Sequence, residues 1–580
     1  MSGLTADRPW LGREVDRPTA EALADALGVP VPVGVLLAQR GIRDAEAAEA
    51  FLSPSLLGLH PPEVIPDLEQ AIERILRAGE EGTPICVWGD YDVDGVTGTT
   101  ILVEALAQLG IEARSYIPHR LDEGYGLNGE AIRRLHAEGV GLLITVDGGS
   151  NDRAEHAVAR ELGVDLVVTD HHPIEGAIPT DFPLVHPGRP DRESPSASLC
   201  GAAVAYKLAW GLGRAHGGGE RVSPRYREFL REALALAALG TVADVVPLQG
   251  ENRAIVAHGL RAIAGSPRPG LRALLEMCGI EPARLTATDI AFHLGPHLNA
   301  AGRMGEVERA LELLRTRDPG EGREVAKSLG QLNRRRKGVE QGMVQDCIEE
   351  LETSGLHPET GPLLFAREGW HSGVAGIVAA RVAERVSRPV FVVALGDGIG
   401  RGSGRSIPER PLTDLYDRLR PHVIAVGGHA CAGGITIAPD RIERLREVLA
   451  KAGEGDPSGA EPPPRHYDLA LEPEEVTLPL ARQIGRLAPF GQGNPEPLFR
   501  IDRLKLSRPP RLVGRNEEHM MLELKHSRGL IPAIWFRGAE HAGELLERDR
   551  TGDLALVGEI SEDHYRGVPR LRLRVVDLCR

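Results

Sequence analysis

The sequence predicts an α/β protein of two lobes, a larger one on a parallel sheet and a smaller one, joined by a long helix and followed by a small β-barrel. Three observations carry this. From about residue 80 to 310, apolar β-branched runs alternate with amphipathic segments, strand then helix. From 306 to 353 the chain is rich in Glu, Arg and Leu and lacks a strand-like run, and beyond a Pro- and Gly-rich stretch it turns to short alternating segments. A chain of 580 residues also exceeds what one hydrophobic core serves.

Residues 1 to 75 alternate short helical patterns, Thr19–Leu27 and Asp44–Leu52, with Pro-rich turns and carry no readable motif, as a structural extension would. The first lobe, 76–305, holds helices at Gly129–Glu138 and Ala154–Leu162 and three strand-like runs, each followed at once by acidic or histidine residues. Ile85-Cys86-Val87-Trp88-Gly89 runs into Asp90-Tyr91-Asp92-Val93-Asp94-Gly95, Leu142–Val146 into Asp147-Gly148-Gly149, and Leu166–Thr169 into Asp170-His171-His172. In open α/β sheets the crevice beyond the carboxyl ends of the strands is where ligands bind. Carboxylates and imidazoles delivered there by several strands suit a pair of Mn²⁺ or Mg²⁺ ions.

The connecting helices, 306–353, break near Asp318-Pro319-Gly320 and read as a strut. The second α/β unit, 354–451, has Leu363–Ala366, a helix Gly373–Val386 and the strand Pro389–Leu395. It closes with Gly402-Ser403-Gly404-Arg405-Ser406, read as a short turn, and with Gly427-Gly428-His429. The stretch 452–464 is too poor in apolar residues to pack and reads as a linker. In 465–580 the segments Leu498–Leu506, Met520–Leu524, Ala533–Phe536, Ala555–Ile560 and Leu571–Leu578 give about five short strands, which fit an OB-fold barrel among other small barrels.

Apolar content of 42% and charged content of 26% are those of a soluble globular chain. No apolar run approaches the roughly 20 residues of a membrane span. The first residues lack a secretion signal, so the cytoplasm is the expected compartment. Cys86, Cys200, Cys278, Cys347, Cys431 and Cys579 form no CxxC pair, against zinc and against a disulfide framework, and read as buried small hydrophobes. Six of the 68 basic residues are lysines, an arginine bias that points to genome composition rather than function. The net charge of −15 argues against nucleic acid, but residues 465–580 hold 19 basic against 18 acidic side chains and are locally permissive.

Asp92 and Asp94 can turn to one cation only if the backbone leaves the pleat, which Gly95 and Gly98 would permit; the same pattern is also a common solvated loop. Adjacent histidines after an apolar strand cannot both be buried without partners, although one core and one exposed ring is the plainer alternative. Asp244 follows the Ala-rich run Ala233–Leu239 and precedes Val245-Val246, an unfavourable place for an unpaired carboxylate. Ser403 and Arg405 offer a hydroxyl and a guanidinium matched to phosphate, though the segment alone also reads as a hairpin turn. The glycines around His429 allow close backbone approach to a ligand, and His429 reads as a phosphate or transition-state contact. In the β-module Arg500, Arg503, Lys505, His519, Trp535, Phe536 and Arg537 set aromatics beside cations, suited to unpaired bases. Trp535 and Phe536 face opposite ways, so one of them fills the core. Tyr125 is a further stacking candidate in a chain only 4% aromatic.

The ordered series Gly89–Gly95, Thr145–Gly149, Thr169–Pro173, Gly240–Leu248, Asn299–Gly305, Gly369-Trp370-His371-Ser372-Gly373, Gly402–Ser406 and Gly427-Gly428-His429 resembles the RecJ exonucleases of the DHH phosphoesterase superfamily, from about residue 80 to the C-terminus. The resemblance implies a two-lobed DHH core with its DHH-associated domain and an OB-fold module. It implies 5′→3′ degradation of single-stranded DNA to 5′-mononucleotides by two-metal hydrolysis, in repair and recombination, with two Mn²⁺ or Mg²⁺ ions. On this likeness Asp92, Asp94, Asp147, His171 and Asp244 ligate the metals, Asp147 bridging them, while His172 faces the scissile phosphate and Asp170 orients its neighbours. Arg120, Arg303, Ser403 and Arg405 would grip the 5′-terminal phosphate and so set polarity. Tyr125, Arg500, Lys505, Trp535 and Arg537 are the candidate DNA contacts. The implied partners are single-stranded DNA with a 5′ end, a single-strand-binding protein and a RecQ-type helicase, the chain acting as a monomer away from membranes.

One departure is Trp88, where relatives often carry a histidine four residues before the first DxD aspartate. It predicts one fewer ligand, weaker metal binding and a need for millimolar metal. Two other readings compete. A DHH phosphodiesterase of short RNA or cyclic dinucleotides generally lacks the strut and the C-terminal module present here. An inactive replication scaffold usually loses metal ligands, whereas Asp92, Asp94, Asp147, His171, His172 and Asp244 are all present.

Overall fold

The computed structural model describes residues 8–120, 123–219, 221–353, 361–396, 398–453, 464–527, 529–563 and 567–579. They fall into two compact units, one drawn from His60–Asp244 and Gly259–Ala460, the other from Thr5–Leu59, Val245–His258 and Glu461–Arg580. No described helix is long and apolar enough to cross a membrane.

The first unit contains a parallel sheet in the order Ala113–Tyr116, Ile85–Trp88, Leu142–Thr145, Asp165–Thr169, Leu184–Val185. Ile85–Trp88 and Leu142–Thr145 are buried at every residue, as strands covered on both faces must be, which is why they read as continuous apolar runs. Their register pairs Trp88 with Thr145, so the loops carrying Asp90 and Asp147 leave the sheet at one level. Threonines lock that edge: Thr169 Oγ1 donates to Thr145 O at 2.7 Å, and Thr145 Oγ1 donates to Gly148 O at 2.7 Å. Trp88 is 3% exposed, packs against the tilted Tyr116 ring with centroids 4.6 Å apart, and belongs to the apolar core with Leu127 and Leu143.

The expected strut is present as Glu308–Arg315 followed by Pro319–Thr353. The break falls at Asp318, whose Oδ1 accepts the Glu321 N–H at 2.8 Å and caps the longer helix. At 1.5 Å per residue its 35 residues reach about 52 Å.

The second sheet of this unit runs Ala425–Gly428, Ala432–Ile437, Ile399–Arg405, Val390–Gly396, Leu363–Glu368, and only the last pair is parallel. The segment expected as a turn, Gly402 to Ser406, is instead mostly the middle strand Ile399–Arg405. Its glycines serve close approach rather than turning: a Cβ at Gly402 would stand 2.2 Å from Val392 O, and one at Gly404 would meet the Phe391 ring at 2.6 Å. Ser403 and Arg405 therefore share the opposite face. The linker expected over 452–464 begins inside the helix Ile442–Gly453, and 454–463 lie outside the described residues.

In the second unit eight strands pair as one sheet, Leu469–Leu471, Phe499–Ile501, Leu556–Asp563, Arg570–Leu578, Gly529–Trp535, His519–His526 and Lys505–Leu506, with Arg511–Val513 also on His519–His526. The sequence reading joined Phe499–Ile501 and Lys505–Leu506 into one strand; Arg503, at φ +56°, separates them. The expected structural extension contains the helices Arg17–Leu27, Val31–Gln39 and Ala45–Leu52, which pack on the β-module. Leu23, Leu36, Leu37 and Leu52 share one core with Leu522, Trp535 and Leu556 of the β-module.

Candidate active site

Six carboxylates and two imidazoles converge at the carboxyl edge of the parallel sheet. Asp92 caps the helix Val93–Gln108, its Oδ1 accepting the N–H groups of Asp94 at 2.9 Å and Gly95 at 3.1 Å. Asp94 sits in the first turn of that helix, 1% exposed, and accepts from the N-terminus of the helix Gly201–His216: Gly201 N at 2.6 Å and Ala202 N at 2.9 Å. The pair is thus set by helix geometry, not by a glycine-loosened loop. Gly95 and Gly98 are there because a Cβ would strike Asp90 N and O at 2.5 Å or Val146 Cγ1 at 2.6 Å.

Asp147, 3% exposed, has left-handed backbone at φ +62°, and a Cβ on Gly201 would lie 2.6 Å from its own Cβ, so only glycine fits opposite. Asp244 ends the helix Pro224–Ala243, where the negative end of the helix dipole disfavours a carboxylate. The next residue, Val245, is a β-branched side chain at φ +62°, a conformation that residues of its shape rarely adopt.

His171 Nε2 faces three carboxylates, 3.0 Å from Asp147 Oδ1, 3.6 Å from Asp244 Oδ2 and 3.7 Å from Asp94 Oδ2. Asp170, 2% exposed, accepts from His171 N at 2.7 Å, His172 N at 3.0 Å and His172 Nδ1 at 2.8 Å through one oxygen, and from Ser150 N at 3.0 Å through the other.

The protonation of this site follows from crowding. Burial, with Asp92 beside it, pushes Asp90 up to about 8; burial, with Asp94 beside it, does the same to Asp244. Burial and then Asp92 bring Asp94 to about 6, and burial and then Asp94 carry Asp147 well above the usual range. Burial and the nearby His172 lower His171 to about 4. Burial opposes charge on His172 as well, but the Asp170 hydrogen bond overrides it and raises His172 to about 9. Burial likewise opposes charge on Asp170, and the His172 hydrogen bond and charge hold it below the usual carboxylate range. Three donor groups have all their atoms within 4.8 Å of one another: Asp90, Asp92 and Asp147; Asp94, His171 and Asp244; Asp147, His171 and His172. Asp147 is common to two of them.

Asp90 is the residue the sequence reading passed over. Its buried Oδ1 has no hydrogen-bond partner, and it supplies the third donor beside Asp92 and Asp147 that Trp88 does not. The deficit expected from Trp88 is therefore not seen in the geometry. The signal was present in the triple aspartate spacing Asp90, Asp92, Asp94.

Beside the carboxylates lies a pocket of cations. The Arg120 guanidinium stands over the Tyr91 ring, 4.4 Å from its centroid. Arg303 ends the helix Gly295–Arg303 and reaches toward Gly373 O, with Nη1 at 3.4 Å. Arg405 Nη1 donates to Ser403 Oγ at 3.0 Å and Gly404 O at 2.8 Å, and Ser403 Oγ donates to Gly433 O at 3.1 Å. Burial, then Arg120, lowers Arg303 to about 10 and lowers Arg405 too. The helix Ser372–Val386 begins at this pocket, capped by His371, whose Nδ1 accepts Gly373 N–H at 3.1 Å. That bond puts the proton of a neutral His371 on Nε2. His371 belongs to the motif Gly369–Gly373. His429 is exposed between Ala425–Gly428 and Ala432–Ile437, joins none of the three donor groups, and among the described residues its ring makes no hydrogen bond.

Family models match over three stretches: the DHH family N-terminal domain at residues 84–241, the DHHA1 domain at 360–453 and the RecJ OB domain at 467–577. The single-stranded-DNA-specific exonuclease RecJ of Escherichia coli (strain K12) is 37% identical, the match covering 90% of this chain and 91% of that protein. RecJ of Bacillus subtilis (strain 168) is 32% identical over 578 residues, 99% of this chain and 71% of that one. The chain belongs to the RecJ family. The crystal structure of RecJ from Thermus thermophilus in complex with Mn²⁺ superposes with a TM-score of 0.80 at 31% identity, covering 99% of this chain and 80% of that one. The likeness to RecJ thus includes the N-terminal residues, where no motif was legible.

Within the RecJ OB domain the structure separates the candidate DNA contacts. Trp535 is 4% exposed, stacks on His541 at 4.8 Å and fills the core, so its assignment as a DNA contact is corrected. Its neighbour Phe536 is 50% exposed and meets the His519 ring edge-on at 5.3 Å. Arg537 is exposed at φ +56°, its N–H donated to His519 Nδ1 at 3.1 Å. Lys505 is exposed opposite Lys525 in the ladder, a like-charge pair that a phosphate would relieve. Arg500 is already paired with Asp502 at 2.8 Å. In the first unit, Tyr125 is 64% exposed next to Gly126.

Proposed function

We propose that this chain is a metal-dependent 5′→3′ exonuclease that degrades single-stranded DNA to 5′-mononucleotides. The observation that carries it is the place of Asp147 between two donor sets: it groups with Asp90 and Asp92 on one side and stands 3.0 Å from His171 Nε2, itself grouped with Asp94 and Asp244, on the other. All donors are oxygen or nitrogen, and Asp90 Oδ1 is buried without a partner, which fits a pair of Mn²⁺ or Mg²⁺ ions. When bound, such ions lower the pKa of water and offset charge on phosphate oxygens. Asp90, Asp92 and Asp147 would hold one, and Asp94, His171, Asp244 and Asp147 the other.

His172 Nδ1 is committed to Asp170, which leaves Nε2–H to donate to a non-bridging oxygen of the scissile phosphate. Arg120, Arg303, Ser403 and Arg405 hold the 5′-terminal phosphate, so a strand enters end-first and presents its first linkage to the carboxylates. Phe536, Arg537 and Lys505 are the contacts the β-module offers to single-stranded DNA. His429, at the exposed hairpin, contacts the departing nucleotide's phosphate.

The organisation that goes with this reading is a catalytic domain at 76–305, connecting helices at 306–353, a DHH-associated domain at 354–451 and a strand-binding module at 465–580. An enzyme confined to unpaired DNA works as a monomer behind a RecQ-type helicase and alongside a single-strand-binding protein.

Asp147→Asn tests the site. Cleavage of a single-stranded oligomer in Mn²⁺ should vanish while the circular dichroism spectrum is kept; retained cleavage overturns the assignment.

A further inference from the structure

One residue joins the carboxylate cluster to the arginine pocket and has no role so far: Tyr91. Its chain neighbours Asp90 and Asp92 both belong to the donor group with Asp147, and its ring lies beneath Arg120 at 4.4 Å. Its backbone is held tightly. A Cβ on Gly302 would stand 2.3 Å from Tyr91 O and 3.2 Å from Tyr91 Cβ, so the helix Gly295–Arg303 closes directly on it. Asn299 Oδ1 of the same helix accepts Val93 N–H at 3.1 Å. The residue after Gly302 is Arg303, a second member of the pocket.

Among the described residues Arg120, Arg303 and Arg405 form no ion pair with a carboxylate; Asp90 and Asp92 act on Arg120 and Arg303 only from beyond ion-pair distance, and Arg120 repels the other two guanidiniums. An aromatic face carries partial negative charge and attracts a guanidinium, most strongly where water is scarce. The Tyr91 ring is the group in direct contact that seats Arg120. Its hydroxyl makes no hydrogen bond among the described residues, so the face of the ring is the working part.

We propose that Tyr91 is a positioning residue that registers the 5′-terminal phosphate against the cleavage site. The loop that carries Asp90 and Asp92 also carries the ring that seats Arg120, so the hold on the end and the point of cleavage move as one piece. This rests on the reading of the arginines as the 5′-phosphate pocket.

The test compares kcat/KM on 5′-phosphorylated and 5′-hydroxyl single-stranded oligomers for the wild type, Tyr91→Phe, Tyr91→Leu, Arg120→Ala and the double variant Tyr91→Leu/Arg120→Ala. Tyr91→Phe should keep the ratio of the two substrates. Tyr91→Leu should lower it by about three- to thirtyfold whatever its absolute rate. In the Arg120→Ala background the Leu substitution should lower the ratio no further. Equal slowing of both substrates by Tyr91→Leu, or the same ratio loss with and without Arg120, overturns the proposal. If Tyr91→Leu does not fold, Arg120→Lys replaces it, since an ammonium lacks the planar face. A ratio unchanged in Arg120→Lys then overturns the ring contact. A wild type that cleaves but ignores the 5′ group removes the pocket reading itself, and a wild type that cleaves nothing removes the active-site reading.

Discussion

Alanine in place of Gly376 should blunt recognition of a 5′-phosphate without loosening the fold. Gly376 lies inside the helix Ser372–Val386 with no left-handed φ, and there alanine is favoured over glycine by about 1 kcal/mol. The added Cβ, however, would stand 2.9 Å from Arg405 Nη2 and 3.2 Å from Ser403 Oγ. The guanidinium is the far end of a flexible side chain and is the part that moves. Because Nη1 is already committed to Ser403 Oγ and Gly404 O, Nη2 and Nε are left for phosphate, and the swing displaces the Nη2 edge. A hydrogen bond to a charged group contributes about 1.5–3 kcal/mol, or about 10- to 150-fold in kcat/KM. The assay is hydrolysis of paired 5′-phosphate and 5′-hydroxyl oligomers beside a thermal melt, with Arg405→Ala marking the largest possible loss. A Tm that holds while the substrate ratio falls is the expected result. An unchanged ratio at unchanged Tm refutes the placement of Arg405 in the pocket.

Metal should stabilise the protein more as pH rises. Asp90 and Asp244 are raised from 3.8 to about 8 in the fold, so they add stability below about pH 4 and lose it as pH climbs through 8. The Tm difference between Mn²⁺ and EDTA should widen from pH 6 to 8.5, and a gap indifferent to pH would count against the carboxylate cluster as the metal site. Asp90→Asn should raise the Mn²⁺ concentration for half-maximal activity by about tenfold or more, measured by titration; an unmoved midpoint would remove Asp90 from the ligand set. Phe536→Ala should weaken binding of long single strands by about 1–3 kcal/mol with little change in Tm, whereas Trp535→Ala should cost about 3–5 kcal/mol of stability. Binding isotherms and melts of the two variants check this, and the reverse pattern would invert the assignment of faces.

Much of the catalytic lobe was legible because its signals are local. A buried parallel strand reads as an unbroken apolar run, and the polar residues after it are those the sheet edge presents. The positions of Asp92, Asp94, Asp147, Asp170, His171 and His172 follow from that, whereas Asp244 ends a helix and enters through the family resemblance. What failed were residues whose meaning depends on a distant partner. Glycine gives the same letter for freedom and for close approach: Gly95 suggests a loosened backbone and Gly402 and Gly404 a turn, yet each makes room for Asp90, Val392 or Phe391. Alternation along a strand fixes that neighbours face opposite ways but not which one faces in, so Trp535 and Phe536 could not be told apart. The helices between Arg17 and Leu52 share a core with residues more than 400 positions away, a contact invisible to any local pattern.

The most direct test of the account is hydrolysis in Mn²⁺ of one single-stranded DNA oligomer labelled at the 5′ end and another at the 3′ end, with duplex DNA and RNA alongside. The account predicts that 5′ label appears at once as mononucleotide, that 3′ label shortens stepwise, and that duplex and RNA survive. Release from the 3′ end first, or cleavage confined to dinucleotides and short RNA, would contradict it.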